Sequence, residues 1–166
     1  MKADLHIHTT HSDGTKTVKE IIDLAYQNGL QVLAITDHDI CEEVDFAKQY
    51  AASKGLTFIP GVELSTLHQN KSVHVLGYFM NDGFRNESMK QYYKMIKEGR
   101  QIRAQEFVKK LKTFFDIEIT YESIFSFSRG VIARPHIAMA IQKKYPEYSF
   151  DDIFDNFIGD YSKAYV

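Results

Sequence analysis

The chain has 166 residues and a net charge of −2, with 44% apolar and 25% charged residues. That composition supports one domain with a core of ordinary size and excludes a disordered chain. A charge so near neutral excludes a globally basic nucleic-acid or membrane-surface binder, although a local basic cluster could still hold a small anion.

No apolar run reaches the length of a membrane span, and the N-terminus lacks the apolar core of a signal peptide. A single cysteine, Cys41, cannot form an internal disulfide. A reducing, cytoplasmic setting is therefore expected.

Residues 3–8 (ADLHIH) alternate as a strand. Thr17 and Glu20 then form a T-x-x-E capping box, and Val18, Ile21, Ile22 and Ala25 share the helical face that follows. Gly29 stops that helix. The apolar run LQVLAIT (30–36) reads as a strand covered on both faces. A helix over about 42–53 ends at Gly55. LTFIPGVEL (56–64) and SVHVLGYFM (72–80) read as two more strands, with His68–Lys71 as their loop.

Strand–helix–strand–helix–strand order implies right-handed crossovers and a parallel sheet. Beyond it, 87–114 reads as one long charged helix. Shorter helices follow near 120–127, 134–144 and 150–158, the last capped by Ser149, and IEIT (117–120) is a short strand candidate. The whole is an α/β first half followed by a helical second half.

Side chains at i and i+2 of a strand share a face, so Asp4, His6 and His8 project together. Neutral imidazole nitrogens suit zinc, manganese or iron. Asp4 could fix the tautomer of a histidine from behind. Asp13, in the S-D-G turn, can reach the same end of the sheet. A solvent-facing strand is the lesser alternative for the segment taken alone. The second strand, however, ends in T-D-H-D with Asp37, His38 and Asp39, and the third ends in P-G-V-E-L with Glu63. The next strand carries His74 between valines. The C-terminal ends of parallel strands share one rim, where active sites form. Four strands each supplying a ligand-type residue make coincidence a poor account.

Taken together, DLHIHTTHSDGT, LAITDHD, IPGVELST and HVLGY resemble the polymerase-and-histidinol-phosphatase (PHP) superfamily of metal-dependent phosphoesterases. EGRQIR, IARPHIA and the closing FIGDYSKAYV resemble further parts of its nucleotide-phosphatase branch. The resemblance implies the N-terminal part of a distorted (β/α)7 TIM-like barrel over 1–82, a helical insertion over 83–160 and the start of a return to the barrel at 161–166. It further implies up to three divalent ions, manganese foremost, with zinc, iron or magnesium as alternatives. Carried over by motif, His6, His8 and Glu63 would hold one ion. Glu63 would bridge to a second held by His74, and Asp13 and His38 would hold a third. Asp4 and Asp37 would stand behind them.

No side-chain nucleophile is implied, because a metal-activated water would attack the phosphorus. The expected substrates are small phosphomonoesters such as nucleoside 3′,5′-bisphosphates, or the 5′ ends of short oligonucleotides. Arg100 and Arg103, three apart on the long helix, and Arg134 with His136 at a helix start would bind a substrate phosphate. By spacing alone the first pair could equally be a solvated face. Histidinol phosphate is a further substrate candidate, and a polymerase-associated exonuclease module is a weaker reading. His11 and His68 read as surface residues, and Cys41 as buried or incidental.

The family pattern continues through further histidine-bearing strands that do not occur here, and a closed barrel needs about 250 residues. The expectation is a piece of a longer enzyme. A truncated gene product retaining only metal or nucleotide binding, or a chain completed by a partner, are the alternatives. A half-barrel would expose a sheet edge and could form a homodimer through it.

Overall fold

The computed structural model of the protein describes residues 1–69 and 71–166, which form two compact units, Met1–Ile96 and Lys97–Val166. The division falls inside a long helix, whereas the sequence pattern changes near position 82.

The first unit is α/β. Its elements are β1 (Ala3–Ile7), α1 (Val18–Gln27), β2 (Val32–Ile35), α2 (Val44–Ser53), β3 (Thr57–His68) and β4 (Lys71–Tyr78), in the sheet order β1-β2-β3-β4. The first three strands are parallel, as the crossover helices require. β4 instead runs antiparallel to β3, from Gly61 opposite Tyr78 to His68 opposite Lys71. The connection between them is too short for a crossover, so the chain turns back as a hairpin. β3 therefore outlasts the predicted strand, running on to His68. Of the predicted loop, Asn70 lies outside the described residues.

Local chemistry sets the helix ends. The Thr17 side chain accepts from the Glu20 N–H, and the Glu20 carboxylate accepts from the Thr17 N–H, closing the capping box at the start of α1. Gly29 follows with φ +69°, a conformation that favours glycine. The buried stripes Val18, Ile22, Ala25 of α1 and Ala47, Ala51 of α2 pack with Leu33, Ile35 and Leu56 as one apolar core. Asp23 ties the helices on their outer side: Lys54 Nζ lies 2.8 Å and Lys19 Nζ 2.9 Å away, and the Tyr50 hydroxyl donates to it at 2.8 Å.

β3 carries its own constraint. A Cβ at Gly61 would come within 2.7 Å of the Thr36 methyl and 3.0 Å of the Ile35 carbonyl, so only glycine lets β2 and β3 approach this closely. The sheet is curled, and the Tyr78 hydroxyl at the end of β4 donates to the Leu5 carbonyl of β1 at 2.9 Å. Val73 and Val75 of the outer strand are exposed.

The second unit is helical. It contains most of α3 (Glu87–Phe115), then α4 (Tyr121–Phe125), α5 (Arg134–Lys144) and α6 (Phe150–Ile153), whose path continues as a π-helical stretch over Phe154–Ile158. Ser149 caps α6 by accepting from the Asp152 N–H. Phe107, Leu111, Ile124, Ile141, Ile153 and Ile158 form its fully buried centre. The predicted strand at 117–120 is absent, because no strand lies beside it among the described residues. Ile117 and Ile119 join this core from an irregular segment instead. No described helix is long and apolar enough to cross a membrane.

Two outcomes follow for stability. Leu33→Ala and Ile141→Ala, one in each core, should each cost about 2–5 kcal/mol in urea unfolding. The Lys54, Lys19 and Tyr50 hydrogen bonds hold the Asp23 carboxyl well below the usual carboxylate range. A depressed folded-state pKa gives stability that is present above the ordinary carboxylate pKa and is lost as pH falls toward the folded value. The stability gap between the native chain and Asp23→Asn should therefore be widest near neutrality and close in acid, as read from unfolding midpoints at successive pH values.

Candidate metal centre

At the C-terminal ends of β1 and β2 and midway along β3 and β4, the main chain brings four imidazoles around one carboxylate; Glu63 lies inside β3, which runs on to His68, rather than at its end. Glu63 sits on β3, only 6% exposed. Its Oε2 lies 2.8 Å from His6 Nε2 and 2.9 Å from His8 Nε2. Its Oε1 lies 2.9 Å from His74 Nδ1, while His38 Nδ1 stands 3.8 Å from Oε2. Asp13 closes the other side, with Oδ1 3.3 Å from His8 Nδ1 and Oδ2 3.6 Å from His38 Nε2. All six residues picked out by the motifs thus meet at one place.

Backbone pairing explains the convergence. His6 near the end of β1 and His8, the first residue beyond it, stand two apart, and their Nε2 atoms come within 3.2 Å of each other. Beyond β2 the ladder persists as a single bridge between His38 and Glu63: the Glu63 N–H donates to the Asp37 carbonyl, and the Asp39 N–H donates to the Glu63 carbonyl. On the far side of β3, His74 lies opposite Ser65, two residue pairs on from the one that sets Glu63 opposite Leu76. Because β4 is antiparallel, His74 arrives from mid-strand rather than from a strand end.

Asp13 is positioned by a buried knot. Asp37, 2% exposed, accepts from the Thr9 N–H at 2.7 Å, the Thr9 hydroxyl at 2.6 Å and the Ser12 hydroxyl at 2.6 Å. Thr9 and Ser12 are fully buried. Asp37 thus clamps the 9–14 loop that carries Asp13. Gly14 completes the turn, since a Cβ there would lie 2.5 Å from the His8 carbonyl oxygen. Asp4 accepts from the His6 main-chain N–H at 3.2 Å, so its recorded contact is with the backbone. Thr9 and Ser12 carry no sequence signal, and Asp39 stands in the T-D-H-D motif without an assigned role. A buried hydroxyl in a turn carries no signature until its acceptor is known.

The electrostatics keep both carboxylates ionised. Burial pushes the Asp13 carboxyl up, but the His8 hydrogen bond, the His38 and His8 charges and the Ser12 hydroxyl hold it near 2. Burial acts likewise on Glu63, and the His6 hydrogen bond with the His38, His8 and His6 charges brings it below the usual range. At His8 burial pulls the imidazole down, yet Asp13, Glu63 and Asp37 outweigh it and the net shift is upward.

The donor set fits divalent cations. Three groups have ligand atoms within 4.8 Å of one another: His6–His8–Glu63, His8–Asp13–His38 and His38–Glu63–His74. His6 Nε2 and His8 Nε2 are 3.2 Å apart, and both are within 2.9 Å of the same oxygen. Ligands about 2.1 Å from an octahedral ion lie about 3.0 Å from each other, so these three atoms have the spacing of one coordination face. Mixed imidazole and carboxylate donors suit zinc, manganese and iron.

In the helical unit, Arg100, Arg103 and Arg134 line one depression with Phe107, Ile132 and Ile137. Arg100 donates to the Ile132 carbonyl at 3.0 Å and Arg103 to the Val166 carbonyl at 2.6 Å, while Arg134 pairs with Asp160 at 2.5 Å. His136 is buried, its Nδ1 accepting from the Ala133 N–H, so it caps α5. His11 is half-buried with Nε2 3.5 Å from Glu43, whereas His68 is exposed. Burial pushes the Cys41 thiol up to about 12, so it stays protonated.

A family model for the PHP domain matches residues 4–165. The chain is 30% identical over 165 residues to a 5′-3′ exoribonuclease of Haemophilus influenzae, covering 99% of this chain and 59% of that protein. It is 36% identical over 103 residues to a 3′,5′-nucleoside bisphosphate phosphatase of Chromobacterium violaceum, covering 62% of this chain and 35% of that one. An amidohydrolase from Chromobacterium violaceum, solved with bound sulfate and no metal, superposes with a TM-score of 0.88 at 27% identity, covering 100% of this chain and 58% of its own. The chain thus spans somewhat over half the length of the relative and of the solved structure that it matches throughout. With the motif residues gathered on one rim and the match running almost end to end, the chain belongs to the PHP domain family.

Proposed function

We infer that this chain carries the metal-binding rim of a phosphoesterase acting on small phosphomonoesters, such as nucleoside 3′,5′-bisphosphates, or on the 5′ ends of short oligonucleotides. The observation that carries this reading is the Glu63 carboxylate facing His6, His8, His38 and His74 with Asp13 alongside. Two relatives named as an exoribonuclease and a bisphosphate phosphatase support phosphate-ester cleavage as the chemistry.

His6, His8 and Glu63 would hold one divalent ion, His38, Glu63 and His74 a second, and His8, Asp13 and His38 a third. Bound divalent ions would supply the positive charge that a phosphate dianion and an attacking water both need. The protein's part is to keep Glu63 and Asp13 ionised and the imidazoles fixed, so that charge is organised before substrate arrives. The Ser12 hydroxyl donates to Asp37, and Cys41 is held as a thiol, so neither is poised as a nucleophile. Arg100, Arg103 and Arg134 are the cations of the helical unit proposed to bind a substrate phosphate. Manganese is the proposed ion, and the cytoplasm the proposed location.

The test is metal content together with turnover. Purified protein dialysed against Mn²⁺ should retain ions and release phosphate from adenosine 3′,5′-bisphosphate. Glu63→Gln should lower Mn²⁺ affinity by about tenfold or more, because a neutral amide would replace the carboxylate shared by two ligand groups. Retention of metal by Glu63→Gln at the native level would overturn the ligand assignment, and bound metal without turnover would reduce the rim to a binding module. Asp37→Ala, which unties the 9–14 loop, should weaken Mn²⁺ binding less than Glu63→Gln while lowering the unfolding midpoint, as read by equilibrium dialysis and thermal melts.

A further inference from the structure

Asp39 follows His38, is fully buried, and has φ +54°. Its side chain does something unusual for the sheet. In a parallel ladder each residue of one strand bonds alternately to the main-chain groups of residues two apart on its neighbour. Beyond β2 that alternation runs from the Glu63 N–H to the Asp37 carbonyl, and from the Asp39 N–H to the Glu63 carbonyl. The next rung would join the Ser65 N–H to the Asp39 carbonyl. Instead the Ser65 N–H donates to the Asp39 side-chain Oδ1, at 2.8 Å. The carboxylate stands in for the carbonyl, which lets the main chain turn away through its left-handed conformation while β3 runs on without an unmet donor. The Tyr92 hydroxyl, from the start of α3, donates to the same oxygen at 3.3 Å.

We propose that Asp39 is a positioning residue for the His38–Glu63–His74 group, its carboxylate replacing one rung of the β2–β3 ladder. It lies outside the three ligand groups. It sets where three ligands point: His38 is its chain neighbour, the Glu63 carbonyl accepts its main-chain N–H, and Ser65, which donates to its carboxylate, is the cross-strand partner of His74. The inference rests on the metal-centre reading given above. Only aspartate or asparagine offers both an acceptor at this reach and tolerance of positive φ, whereas glycine offers the tolerance alone.

That contrast gives the experiment. Asp39→Gly and Asp39→Asn both accommodate the backbone, so they differ in the acceptor. Zinc titrations of the full chain would be followed through imidazole ¹⁵N resonances. In Asp39→Gly the zinc concentration that half-shifts His38 and His74 should rise by about tenfold or more. Asp39→Asn should restore it to within about threefold of the native value. A glycine variant that responds like the native chain, or an asparagine variant that fails like glycine, overturns the proposal. The metal-free chain gives an independent readout. The Ser65 amide should exchange slowly in the native and Asn forms, and about tenfold faster or more in the Gly form. A native Ser65 amide exchanging like a free one overturns the proposal regardless of the variants. A native chain blind to zinc would instead sink the metal-centre reading and leave amide exchange to decide this one.

Discussion

A carboxylate taken out of water must be met by donors or by positive charge, and the burial of Glu63 imposes that demand on the whole first unit. Four imidazoles from three segments answer it. Each is delivered by backbone geometry: the two-residue spacing at the end of β1, the last bridge of β2 onto β3, and the return of β4. The helices α1 and α2 matter because their apolar stripes hold β1 to β3 in parallel array. Remove that array and no local sequence would keep residues 6, 38, 63 and 74 together.

Behind the ligands stand two buried acids with different tasks. Asp37 gathers Thr9 and Ser12, fixing the loop that presents Asp13. Asp39 faces the opposite way and supports β3. Two aspartates flanking one histidine thus secure the segments on either side of it. Charged groups at such depth are tolerable because main-chain and hydroxyl donors meet them.

Much of this was legible beforehand. The capping box at Thr17, the parallel strands and the six ligand-type residues follow from periodicity and from motifs whose residues have few other uses. The hidden parts depend on three-dimensional facts without a sequence signature. The direction of β4 hinges on a connection too short for a crossover, which strand periodicity alone does not report. Ile117 and Ile119 alternate as strand residues do, yet have no neighbouring strand to pair with and serve as core. His136 turns one ring nitrogen onto the Ala133 N–H at the start of its own helix, a contact that residue spacing does not report. The sign of φ at Asp39 decides its role, and no residue count reveals it.

The bond from Tyr78 to the Leu5 carbonyl has a wider meaning. Strands in a sheet are spaced about 4.8 Å apart, so in a flat arrangement the first and fourth would stand about 14 Å from each other. A phenol cannot span that gap, nor could imidazoles on those outer strands share one acidic side chain. Curvature is therefore itself a determinant of coordination, and a tyrosine that touches no ligand helps set the aperture. Changes on the outer strands that bend or flatten the sheet offer a way to retune affinity while every chelating residue stays as it is.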